Sequence, residues 1–125
     1  MMVFNSRGEI LLVQIGYMHK LWVIPGGTLD KGETKENAAK REIFEEIAIM
    51  VVNCDYAFTM HHQEQHKKDT VHYFVATSDG NQFVIDDEEI IDVGWFGTGV
   101  LPEKRTLRID KALEMYNNRK SKQQT

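Results

Sequence analysis

At 125 residues the chain is long enough for one domain with a real core and too short for a second. A net charge of −4 and a pI near 5.7 argue against a general binder of nucleic acid or anionic membranes, but not against a nucleotide held through cations. A single cysteine, Cys54, excludes an internal disulfide. With no charged-then-apolar leader near Met1 and no run of about 18 apolar residues, the chain reads as soluble and cytoplasmic.

Val3 and Phe4 end a short strand, Asn5-Ser6-Arg7-Gly8 is turn chemistry, and residues 10–15 form a strand. Residues 16–20 are a loop whose Tyr17 and His19 stand either at the rim of a site or simply on the surface. A strand over residues 22–24 is ended by Pro25. Thr34 is then a plausible N-cap, Glu36 and Ala38-Ala39 favour helix, and no Gly or Pro follows until well past Met50. At about 100° per residue, Ala39, Ile43, Ile47 and Met50 fall on one arc of that helix and Glu42, Glu45 and Glu46 on another.

Residues 51–61 and 70–78 have the β-branched and aromatic content of two strands, joined by a polar segment at 63–69. A short strand is expected at 83–85 and another at 90–96, separated by the acidic run Asp86-Asp87-Glu88-Glu89. Residues 106–118 form an amphipathic helix with Leu107, Ala112, Leu113 and Tyr116 turned inward. The domain therefore spans 1–118, and 119–125 is a polar tail.

Three carboxylates at i, i+3 and i+4 repel one another and, if partly buried, raise each other's pKa unless a cation sits among them. Oxygen ligands of this kind suit a hard ion such as Mg²⁺ or Mn²⁺. A solvated acidic face, with Arg41 and Glu45 as an ordinary i,i+4 pair, is the alternative reading. Residues 27–34, GTLDKGET, superficially match a phosphate-binding P-loop, but Glu33 stands where the lysine must be. His61, His62, His66 and His72 satisfy no standard zinc spacing and are expected at the site rim or in solvent. Lys67 and Lys68 are loop-tip residues within possible reach of phosphates, and Lys104, Arg105, Arg108 and Lys111 offer a basic edge for a longer phosphate chain.

Spacing decides between the two readings of the acidic helix. Gly27, five residues, Glu33, seven residues, Arg41-Glu42-Ile43, one residue, Glu45-Glu46, one residue, and Ala48-Ile49 resembles the box of the Nudix hydrolase family. Only Ala48 departs, where the family has Gly. The six matching Gly, Glu and Arg positions would coincide by chance about once in 10⁷ starting points. Residues 22–27, WVIPGG, and Gly94-Trp95-Phe96 resemble the family's flanking strands.

The resemblance implies an α/β fold: an α/β/α sandwich with a mixed central sheet, the box helix and a C-terminal helix. It implies Mg²⁺- or Mn²⁺-dependent hydrolysis of a phosphoanhydride in a nucleoside diphosphate linked to another group. Glu42, Glu45 and Glu46 would be metal ligands together with the Gly26 carbonyl, with Gly26 and Gly27 letting backbone approach metal or substrate. Arg41 would orient a neighbouring glutamate, and Glu33 would brace the loop or bind an outer ion. Glu89, or else Glu88, would be the further carboxylate ahead of Trp95. A short chain looks most like the MutT-like triphosphate branch, yielding a nucleoside monophosphate and pyrophosphate. ADP-ribose, dinucleoside polyphosphates and RNA 5′ ends are alternatives, as is a non-catalytic regulatory domain suggested by Ala48. The partner is thus a small nucleotide rather than duplex DNA or a membrane, on a monomer or homodimer.

Overall fold

The computed structural model describes residues 1–26, 32–64 and 67–123, with side chains to residue 120. Gly27 and His66 lie outside the described residues. The elements are β1 (Met2–Phe4), β2 (Ile10–Ile15), β3 (Trp22–Val23), α1 (Lys35–Ile47), β4 (Val52–Glu64), β5 (Lys67–Thr77), β6 (Ile90–Phe96) and α2 (Leu107–Gln123). The strands form one mixed sheet in the order β3-β2-β1-β5-β4, and β6 pairs β2 along its length. Only the β1–β5 pairing among these strands is parallel. No described helix is long and apolar enough to cross a membrane.

Side chains alternate across a strand, so one sheet supplies two cores. Met1, Val3, Leu11 and Val13 pack with Ile43 and Ile47 of α1, whereas Met2, Ile10 and Leu12 pack with Ile109, Ala112 and Leu113 of α2. Leu11 and Leu12 are adjacent and fully buried on opposite faces. Each contributes roughly 1.5–3 kcal/mol of burial. A strand with both faces covered reads as a continuous apolar run, which is what residues 10–13 show. Aromatic contacts finish the α2 face: Phe4 stacks on Tyr116 at 5.1 Å and Trp22 meets Phe96 edge-on at 4.8 Å. The sandwich of two helices about a mixed sheet is thus the expected one.

Helix α1 starts where Thr34 accepts a hydrogen bond from the Asn37 N–H, 3.2 Å, and ends at Ile47. Ala48 there takes the left-handed conformation, φ 61° and ψ 35°, with its N–H on the Phe44 carbonyl. Met50 consequently lies beyond the helix and is 77% exposed, not on the buried arc assigned to it above. The expected strand at 83–85 does not form a ladder. Its backbone instead satisfies carbonyls left open at the end of α1: Val84 N donates to Ile47 O at 3.1 Å and Asp86 N to Glu46 O at 2.8 Å.

The polar segment at 63–69 is not a connecting loop. Strands β4 and β5 continue through its described residues in register, Gln63 opposite Lys68 and Glu64 opposite Lys67. Long-range pairing overrides the low β-propensity of charged residues there. Helix α2 likewise runs to Gln123 rather than stopping at 118, and its Leu107 is 68% exposed, while Ile109 takes the inward position. Between β2 and β3 a single 3-10 turn, Met18–Lys20, has positive φ at all three residues, 46°, 64° and 57°. For non-glycine residues this costs roughly 1–2 kcal/mol each.

Candidate active site

The carboxylates of α1 are organised by one arginine. Arg41 Nε donates to Glu33 Oε2 at 2.7 Å and Nη2 to Glu33 Oε1 at 2.9 Å, a bidentate fork linking the residues ahead of α1 to its second turn. Its Nη1 reaches Glu42 Oε1 and Glu45 Oε2, each at 3.0 Å. The side chains of Glu33 and Glu42 are about one-fifth exposed and that of Glu45 more than half. Planar guanidinium geometry makes this possible, since a lysine has no second nitrogen to divide among three acids.

Glu46 is half-buried beside Glu42. Burial first, then a hydrogen bond and repulsion from Glu42, then the charge of Asp87, push its carboxyl up to about 8. Two carboxyls can hydrogen-bond only by sharing a proton. That proton occupies the position of neutralising charge that a cation would otherwise supply, and the donors are oxygens, as a hard divalent ion requires. Among the described residues, however, no three His, Cys, Asp or Glu side chains are already gathered to hold an ion. Arg41 holds two of the α1 glutamates itself.

Glu46 opens into a cavity of about 220 Å³ that is also lined by Tyr17, Gly26, Asp87 and Glu89. Neither Glu42 nor Glu45 lines it. Loop residues 84 and 86 are tied to the end of α1 by the two backbone bonds above, and that linkage carries Asp87 toward Glu46. Glu89 is positioned differently: its carbonyl accepts from Gly16 N at 2.7 Å, and its carboxylate faces the Tyr17 hydroxyl. Partial burial, followed by the charge and hydrogen bond of Glu89, holds that phenol above its ordinary range. Glu88 is exposed and outside the lining.

The loop thus brings both Glu89 and Asp87 to the cavity. Asp87 was not singled out from the sequence, because one acid in a run of four carries no local signal of which way it points.

A larger cleft of about 690 Å³ adjoins this cavity and shares Ile15, Val23, Ile24, Pro25 and Gly26 with it. Its remaining wall includes Met18, the start of α1, the Asp69-to-Phe74 part of β5, and Arg108 of α2. Met1 N donates to Pro25 O at 2.7 Å and so pins the turn that both compartments share.

Among the described residues the histidines are not a group. His61 bonds Thr70 and His72 bonds Thr59, both at exposed positions, and His72 also lines the larger cleft. His62 corrects the expectation of rim or solvent: it is 3% exposed, with Nε2 3.0 Å from the Tyr73 hydroxyl, and burial lowers its pKa. Two of the four residues of the expected basic edge are already paired. Arg105 is engaged by Asp110 and the Pro102 carbonyl, and Arg108 by Glu64 and Asp69. Lys67 and Lys68 are exposed on β5 and line neither compartment.

Two helices about a mixed sheet, with an arginine-braced acidic helix beside a carboxylate-lined cavity, define an α/β/α sandwich domain suited to phosphate chemistry through cations. The chain belongs to the Nudix family: the family's NUDIX domain model matches residues 1–116. It is 34% identical over 104 residues to the NAD-capped RNA hydrolase NudC of Chromobacterium violaceum, covering 82% of this chain and 38% of that protein. It is 36% identical over 66 residues to the 8-oxo-dGTP diphosphatase of Proteus vulgaris, covering 53% of this chain and 59% of that one. The chain thus spans less than two thirds of these relatives' length. Among solved structures, a MutT NUDIX hydrolase from Burkholderia pseudomallei shares the fold with a TM-score of 0.77 at 24% identity, over 91% of this chain and 95% of that one.

Proposed function

We propose that the chain is a divalent-cation-dependent pyrophosphohydrolase that cleaves a phosphoanhydride in a nucleoside diphosphate linked to another group. The most favoured substrate is a nucleoside triphosphate, giving a nucleoside monophosphate and pyrophosphate. The observation that carries this reading is the Arg41 fork, which joins Glu33 to Glu42 and Glu45 beside the cavity that holds Glu46. A solvated acidic face has no need of such bracing. The names of the relatives support a nucleotide substrate without choosing one: one acts on 8-oxo-dGTP and the other on NAD-capped RNA. A cytoplasmic setting is part of the same proposal.

Glu42, Glu45, Glu46 and the Gly26 carbonyl would hold Mg²⁺ or Mn²⁺. Bound there, a divalent cation neutralises phosphate charge and makes a water more acidic. The protein's own part is positioning. Arg41 orients Glu42 and Glu45, and Glu33 fixes Arg41 through both of its oxygens. Asp87 and Glu89 present proton-accepting oxygens to the cavity where water attacks phosphorus and the bridging P–O bond breaks, and Glu46 would do so once a cation had displaced its proton. Ala48 removes no ligand. It adopts the left-handed conformation that glycine would, so its departure from the family pattern is a strain of about 1 kcal/mol and gives no support to a non-catalytic domain.

The test is pyrophosphate and phosphate release from nucleoside triphosphates, ADP-ribose, dinucleoside polyphosphates and 5′-capped or triphosphorylated RNA, with Mg²⁺ and with Mn²⁺. A preferred substrate whose turnover is lost in Glu46→Gln is the expected result. Silence across the panel with nucleotide binding intact would overturn hydrolysis in favour of regulation.

A further inference from the structure

The Met18–Lys20 turn concentrates backbone strain in three successive non-glycine residues. Such a turn persists only where its surroundings over-determine it, and strained backbone of this kind clusters at ligand sites. Here the restraints are explicit. Lys20 N donates to Tyr17 O, Gln14 Nε2 to Lys20 O, Ile15 N to Leu21 O and Gly16 N to Glu89 O, at 2.7–3.1 Å. Gly16 allows the last of these: a Cβ there would stand 3.0 Å from Ile91 Cγ2.

The held turn places Tyr17 in the lining of the acidic cavity and the next residue, Met18, in the lining of the larger cleft. Both are substantially exposed, at 48% and 65%, so neither is explained by core packing. An aromatic ring and a polarizable thioether therefore straddle the junction between the compartments. If cations and phosphates occupied the Glu46 end, a nucleoside carried on the phosphate chain could reach this junction.

We propose that Tyr17, supported by Met18, is the stacking platform for the substrate's nucleobase. The inference rests on the nucleotide reading of the site and adds a residue to it. Stacking is tolerant of base identity, because every base has a π-face, so Tyr17 supplies affinity for bases as a class. The Tyr17 hydroxyl keeps its own task of meeting Glu89, and the ring is what the base meets.

The test is equilibrium binding by calorimetry, with Mg²⁺, of non-hydrolysable α,β-imido triphosphates of the four nucleosides and of inorganic tripolyphosphate. Tyr17→Ala should weaken the nucleotides about tenfold or more. Tripolyphosphate, which has no ring, should bind as it does to the parent chain. Tyr17→Phe, which keeps the ring and loses the hydroxyl, should bind nucleotides as the parent does, and its melting curve separates misfolding from lost contact. Equal weakening of tripolyphosphate, parental affinity in Tyr17→Ala, or a Tyr17→Phe loss as large as that of Tyr17→Ala would each overturn the platform. So would a parent chain that prefers no nucleotide over tripolyphosphate. Absent hydrolysis with this binding pattern intact would sink the enzymatic reading alone.

Discussion

Two arginines, Arg41 on α1 and Arg108 on α2, each tie glutamate or aspartate side chains to a helix, yet they do different things. Arg108 joins two acids that are more than half exposed, Glu64 at 3.0 Å and Asp69 at 2.8 Å, and so stitches the β4–β5 hairpin to α2. Arg41 joins two shielded acids, Glu33 and Glu42, as well as the more exposed Glu45, and Glu46, Asp87 and Glu89 stand together at one cavity nearby. Around Arg108 charge is nearly matched, because Lys111 also acts on Glu64. Around Arg41 acids outnumber bases among the described residues, and burial together with the neighbouring Glu42 carboxyl favours the protonated form of Glu46. An ion pair that balances is architecture, whereas one beside uncompensated like charge has the electrostatics that a bound cation would satisfy.

The largest test of this contrast is Arg41→Gln. Loss of a residue that orients metal ligands typically costs 10–100-fold in metal affinity or activity. We expect a fall of about that size in turnover, together with a weaker rise in Tm on adding Mg²⁺. If Arg41→Gln retains both, the fork is only structural.

A second test uses pH in the absence of metal. Glu46 carries its proton up to about pH 8 in the folded chain, against an ordinary value of 4.5. Because the folded value is the higher one, this group's contribution to stability is complete below about 4.5 and is lost as pH rises through about 8. Melting temperature should therefore decline from pH 5 to 8.5, and Glu46→Gln should flatten the decline. A parental slope in that variant would show that some other group titrates.

A smaller effect comes from the helix exit. Ala48→Gly relieves a left-handed alanine and should stabilise the chain by about 1 kcal/mol, read as an upward shift in chemical denaturation midpoint. No change would mean that the left-handed exit is unstrained. Smallest of all, Arg108→Gln should cost under about 1 kcal/mol and less at high salt, since its partners are solvated. A loss as large as that of a core truncation would erase the distinction drawn between the two arginines.

What the sequence by itself determined is local. The cap at Thr34, the shared face of Glu42, Glu45 and Glu46, the reach of Arg41 to Glu45 one turn away, and the strands Ile10–Ile15 and Ile90–Phe96 all follow from spacings within a few residues. Residue periodicity is enough to place such groups relative to their neighbours. What only the tertiary structure decided depends on residues far apart in the chain. The β4–β5 register extends two strands through charged sequence and buries His62 against Tyr73. Asp86 N on Glu46 O brings Asp87 to the cavity, and Gly16 N on Glu89 O stations Tyr17 at its mouth. Met50 leaves the helix because Ala48 can turn left-handed once the 84–86 backbone is there to satisfy the carbonyls that α1 leaves open. A hydrogen bond across forty residues has no period to read, and its partners become known only when the sheet has brought them together.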